Sequence, residues 1–139
     1  MLTPSSPPTE TILLVDDEMQ VLSMVAELLQ AQGYAVVSTW DPEEALRLAR
    51  AHPGPIHLLL TDLVMPAMTG QELATEIRPV HPSMKVLFMS AYSIAIAEEY
   101  KVRLAPGEPY LSKPFSIVGL HRAVREALDY EPPPPLRRS

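Results

Sequence analysis

The sequence predicts an α/β protein, a parallel five-stranded sheet covered by helices on both faces. Two observations carry this. Apolar strand-like stretches alternate with helical stretches five times along the chain, the pattern of repeated βαβ units. The strand-like stretches are also nearly all apolar, as strands buried on both faces must be. Crossovers in such sheets are right-handed, and ligands bind beyond the carboxyl ends of the strands.

The first strand is Thr11–Val15, short and apolar. Met19, Leu22, Val25, Ala26 and Leu29 then recur at helical spacing, and Gly33 stops that helix. The second strand is "YAVVST" at 34–39. In "DPEEALRLARA", Asp41 is placed to cap a second helix, with Pro42 at its first position and His52–Pro55 breaking it. "IHLLLTD" (56–62) is the third strand, and "MPAMTG" is a loop. Gln71–Ile77 forms a short helix with Leu73, Ala74 and Ile77 inward. "KVLFMS" (85–90) is the fourth strand. The stretch 92–104 is a fourth helix of weak amphipathicity, and "PYLS" (109–112) a short fifth strand. Ser116 caps a last helix with a stripe of Ile117, Leu120, Val124 and Leu128.

Bulk properties narrow the class. A chain of 139 residues suits one domain. Of 16 prolines, 7 lie in the first ten residues and in "PPPP" at 132–135. Residues 1–9 and 131–139 are therefore expected to be Pro-rich flexible tails, around a domain at 10–130. No apolar run reaches the roughly 20 residues of a membrane helix, and the N-terminus lacks the pattern of a signal peptide. There is no cysteine, hence no disulfide or Cys-based zinc site. A cytoplasmic location fits these features. A net charge of −6 argues against nonspecific nucleic-acid binding. His52, His57, His81 and His121 lack metal spacing and read as surface or turn residues; Trp40 reads as a partly buried strand-end aromatic.

The chemistry sits at the strand ends. Asp16 and Asp17 follow the first strand, Asp62 ends the third, Ser90 the fourth, and Lys113 follows the fifth. Singly, each is an ordinary turn former or cap. Together they bring three carboxylates, one hydroxyl and one ammonium to one edge. Three clustered acids cannot all stay ionised beside a single lysine. A divalent cation supplies the missing charge, and hard oxygen ligands favour Mg²⁺ or Mn²⁺. Magnesium commonly shares its shell with phosphate, and an aspartate can accept a phosphoryl group covalently.

The segments "LLVDDE", "LLLTDLVMPAMTG", "VLFMSAYS" and "YLSKPF", in this order, resemble the receiver domain of two-component response regulators over about 11–129. The wording of the second and third segments is most similar to receivers appended to hybrid histidine kinases. The resemblance implies a doubly wound, flavodoxin-like (βα)5 fold with strand order 2-1-3-4-5. It implies a phosphorylation-controlled switch rather than an enzyme, in a phosphorelay whose donor is a sensor histidine kinase or a histidine phosphotransfer domain. By residue, it makes Asp62 the phospho-acceptor. Asp16, Asp17, Asp62 and the Val64 carbonyl hold Mg²⁺, and Lys113 and Ser90 engage the phosphoryl group. Ser90 and Tyr110 form the switch, which alters the surface of the fourth helix, fifth strand and last helix and could support a homodimer there. Pro66 and Gly70 shape the loop after the acceptor, and Lys113–Pro114 takes the family's cis peptide. Val64 and Tyr92 occupy positions where the family tunes hydrolysis.

The chain departs from the family pattern in "LAPGEPY" (104–110), where Pro106 and Pro109 stiffen the approach to the fifth strand. Three rival readings remain. A flavodoxin-like cofactor binder must accept a phosphate in its first loop, where "DDE" repels one. An aspartyl-phosphate hydrolase has a D-x-D pattern, and here the second position is Val64. A degenerate receiver would serve only as a dimerisation or docking module.

Overall fold

The computed structural model describes residues 10–91 and 109–131. The expected fourth helix at 92–104, Tyr92, Pro106 and the two tails (1–9 and 132–139) lie outside the described residues. Among the described residues nine elements follow in order: β1 (Thr11–Val15), α1 (Met19–Ala31), β2 (Ala35–Thr39), α2 (Pro42–Ala51), β3 (Leu58–Asp62), α3 (Gly70–Ile77), β4 (Lys85–Ser90), β5 (Tyr110–Ser112) and α4 (Ile117–Asp129). The strands form one sheet in the order β2-β1-β3-β4-β5, every pairing parallel.

The strand period of two sorts the core into two layers. Leu13, Val15, Leu59, Val86 and Phe88 face one side, under α2 and α3. Ile12, Leu14, Leu58, Leu60, Leu87 and Met89 face the other, under α1 and α4. This explains the unbroken apolar runs in β1 and β3, where all five residues of each strand are buried. Burying each large aliphatic side chain contributes about 1.5–3 kcal/mol.

Local signals set the helix ends. Gly33 has a φ of 98°. Its N–H donates to Gln30 O, and Tyr34 N–H reaches back to Leu29 O, a Schellman closure of α1. Asp41 accepts from Glu43 N–H ahead of Pro42, and Ser116 accepts from Gly119 N–H. Helix α3 starts at Gly70, one residue earlier than the sequence suggests. Thr69 and Glu72 bond each other's backbone N–H there, the S/T-x-x-E capping box.

Five side chains differ from expectation. Met19 and Ile117 are each 56% exposed; both open helices that begin at the sheet's carboxyl edge, so their side chains overhang its end. Trp40, beyond the end of edge strand β2, is likewise exposed. His81 is buried. It accepts from Ile56 N–H through Nδ1 at 3.3 Å, and Nε2 meets Ala49 O at 2.8 Å. It therefore satisfies two backbone groups where α2 ends and β3 begins. His121 is half-buried rather than on a solvated face.

At the amino edge, Lys85 Nζ donates to Tyr130 O at 2.5 Å. Arg125 bridges Glu10 and Asp129 at 3.1 and 3.2 Å. Both ends of the described fold are fastened at this edge.

Candidate functional site

Register levels the strand ends. Val15 pairs with Thr61, so Asp16 and Asp62 lie side by side just beyond. Asp62 pairs with Met89, one residue before Ser90. Ser90 pairs with Ser112, which puts Lys113 next along β5. Lys113 N–H donates to Ser90 O at 2.9 Å, and the Lys113–Pro114 bond is cis. The residues expected from sequence therefore share one edge.

Asp16, Asp17 and Asp62 each offer a carboxylate oxygen within 4.8 Å of the others. Asp16 is fully buried and Asp62 is 7% exposed, whereas Asp17 faces solvent. Lys113 Nζ lies 2.8 Å from Asp16 Oδ2, 3.0 Å from Glu18 Oε1 and 3.5 Å from Asp62 Oδ2. Glu18 N–H donates to Asp16 Oδ1 at 2.8 Å. Asp16 Oδ2, although buried, accepts no aligned hydrogen bond among the described residues; its contact with Lys113 is one of charge. Three hard carboxylate oxygens, of whose charge one ammonium offsets only a part, suit a hard divalent cation such as Mg²⁺ or Mn²⁺.

The charges are unevenly held. Burial raises Asp62 from the ordinary carboxylate range to about 7; the Asp16 and Asp17 charges push the same way and Lys113 opposes them. Burial raises Asp16 too, against the pull of Lys113 and of the Glu18 N–H. For Lys113, burial lowers the pKa, but its carboxylate partners outweigh that and the net shift is upward. Asp62 thus binds its proton more tightly folded than unfolded, where an aspartate titrates near 3.9. The folded state holds the extra proton between about pH 4 and 7, so this group's contribution to stability falls as pH rises through that window. Without divalent ions, urea midpoints of the wild type should fall relative to those of Asp62→Asn from about pH 4.5 to 7.5. Parallel midpoints would contradict the shift.

The loop after Asp62 is short and closed. Leu63 N–H donates to Met89 O, and Gly70 N–H to Leu63 O, both at 2.8 Å. Val64, half-buried, bridges to Thr69. Pro66 is exposed at the loop's tip. Gly70 is buried: a Cβ there would lie 2.5 Å from Asp62 O and 2.9 Å from Thr61 Cγ2. Tyr110 is half-buried at the start of β5, packed on the Phe88 side of the sheet. Ser90 is buried at the end of β4. The sequence reading missed Glu18 as a site residue, although it is the third acid of "DDE". It missed the Thr69–Glu72 cap too, whose four-residue signature was available.

Comparison with known proteins places these features in context. The family model for the response regulator receiver domain matches residues 12–125. The chain is 36% identical over 122 residues to the sensor kinase CckA of Brucella abortus, covering 86% of this chain and 12% of that protein. It is 30% identical to the transcriptional regulatory protein GlrR of Escherichia coli, covering 88% of this chain and 27% of that one. The chain thus spans about a quarter or less of these two relatives. Among solved structures, the receiver domain from the hybrid histidine kinase CckA matches with a TM-score of 0.70 at 36% identity, covering 85% of this chain and 98% of that one. A CheY-like receiver domain protein from Methanospirillum hungatei matches with a TM-score of 0.72 at 27% identity, covering 88% and 95%.

Proposed function

The chain belongs to the response regulator receiver domain family, and from that premise we propose that Asp62 accepts a phosphoryl group from a histidine kinase and thereby switches the domain's surface. The observation that carries this is the placement of Asp62, beside both the acid pair and Lys113 at the carboxyl edge. An Asp62 oxygen attacks phosphorus of a phosphohistidine and forms an O–P bond. The N–P bond breaks, and its electron pair stays on the imidazole nitrogen, which takes up a proton. Most of the catalysis here is positioning and charge neutralisation.

Asp16, Asp17, Asp62 and the Val64 carbonyl would hold Mg²⁺, whose charge would offset that of the phosphoryl oxygens when bound. Lys113 supplies a point charge to the same oxygens. Ser90 donates its hydroxyl to the phosphate once it forms. The space it leaves lets Tyr110 turn inward, biasing a two-state equilibrium. Pro66 and Gly70 fix the loop beside the acceptor. A mostly apolar groove lined by Glu18, Val21, Met24, Lys113, Pro114 and Phe115 opens beside the acids, which suits a protein donor. The likeness to CckA supports a place in a phosphorelay beside a hybrid kinase. Among the described residues no helix is long and apolar enough to cross a membrane.

Incubation with Mg²⁺ and acetyl phosphate, read by intact-mass spectrometry, tests the proposal. The wild type should gain the mass of one PO₃H. Asp17→Ala should lose both Mg²⁺ binding and the mass gain while keeping its fold, because Asp17 is exposed and its removal relieves repulsion. No gain in the wild type would leave the docking-module reading.

A further inference from the structure

Lys113 faces three carboxylates, and the order of its distances matters. The ammonium stands nearer to Asp16 and Glu18, at 2.8 and 3.0 Å, than to Asp62, at 3.5 Å. Glu18 hydrogen-bonds it across 95 residues of chain. Yet Glu18 has no other visible task for its side chain. It sits at the N-cap of α1 without capping it, and its link to Asp16 is through backbone N–H. Its carboxylate is 59% exposed, while the Lys113 side chain it holds is 9% exposed.

We propose that Glu18 is a positioning residue that draws the Lys113 ammonium away from Asp62 and so slows phosphoryl uptake. This rests on the reading of Asp62 as the acceptor. An arriving phosphoryl group needs the ammonium as a counter-charge. To serve it, Lys113 must loosen its bond to Glu18, because an ammonium has only three donors and two carboxylates already stand closer than Asp62. With Asp16 directed to a cation, Glu18 becomes the remaining competitor for Lys113. The competition is modest, since pairs with an exposed partner are weak and screened by salt.

The test uses Glu18→Gln, which keeps size and backbone bonding, and Glu18→Asp, which keeps charge but loses reach. With Mg²⁺ and acetyl phosphate, both should be phosphorylated about two- to fivefold faster than the wild type. The gap should narrow at high salt. Mg²⁺ binding by calorimetry, without any phosphodonor, should persist in Glu18→Gln. In its crystal structure Lys113 Nζ should approach Asp62 from 3.5 Å to hydrogen-bond distance. Four results overturn the proposal: unchanged or slower uptake in Glu18→Gln, loss of Mg²⁺ binding, an unmoved Nζ, or Glu18→Asp behaving as wild type. If the wild type takes up no phosphate at all, the acceptor reading fails, and the position of Nζ still decides whether Glu18 holds Lys113 away from Asp62.

Discussion

Asp62→Asn should take up no phosphoryl group from acetyl phosphate in Mg²⁺, and without divalent ions it should be more stable than the wild type near neutral pH. The first effect is complete: an amide nitrogen or oxygen is too weak a nucleophile to form the acyl phosphate, and no neighbouring carboxylate stands in its place. Asp16 is fully buried and held by Lys113 and the Glu18 N–H. Asp17 is exposed and has no ammonium within ion-pair distance among the described residues. The second effect follows from burial. At pH 7.5 the wild type keeps a carboxylate that burial and two acids disfavour. Asparagine removes that charge in nearly the same volume. Lys113 loses one partner but keeps the two nearer ones. The expected gain is about 1–2 kcal/mol, measured by urea denaturation in chelator. Phosphorylation of Asp62→Asn at the wild-type rate would move the acceptor elsewhere, and a loss of stability would mean that Lys113 depends on Asp62 more than the distances indicate.

Gly70→Ala should destabilise the fold by roughly 2–4 kcal/mol. The added methyl meets Asp62 O at 2.5 Å, Thr61 Cγ2 at 2.9 Å and Phe88 Cδ1 at 3.2 Å. The nearest of these is backbone at the end of a central strand, which cannot step aside as a flexible side chain would. Helix α3 would have to move away, and Gly70 N–H already donates to Leu63 O in the same turn. The movement would carry Asp62 with it. Thermal denaturation and phosphorylation rate should therefore fall together, and a wild-type melting temperature would refute the close approach. The glycine is required by proximity rather than by φ, since Gly33 is the glycine with a positive φ among the described residues.

The sheet was legible because each strand announces itself twice, by an apolar run and by a polar residue at its carboxyl end. Thr11–Val15 and Lys85–Ser90 match the observed strands at both ends. Leu58–Asp62 is two residues shorter than expected. Ile56 N–H bonds the His81 ring and the His57 ring accepts from Thr11 N–H, so the paired register begins at Leu58. The acid cluster was legible for the same reason, because charge at the end of a buried strand has few places to go. Exposure at helix starts was not. Periodicity marks which face Met19 and Ile117 share with their helices, but not how far the sheet extends beneath them. His81 was hidden because a lone histidine beside proline reads as a turn. Its burial depends on two backbone groups 32 and 25 residues away. Glu18 was hidden because its partner, Lys113, is distant in sequence.

The fastening of both chain ends at the amino edge has an architectural consequence. Lys85 grips Tyr130, and Arg125 grips Glu10, so polypeptide enters and leaves at neighbouring points on one rim. A cassette with that geometry can be set into a longer chain without rerouting it. The carboxyl edge, with its acids, lies a full strand length away from these tethers.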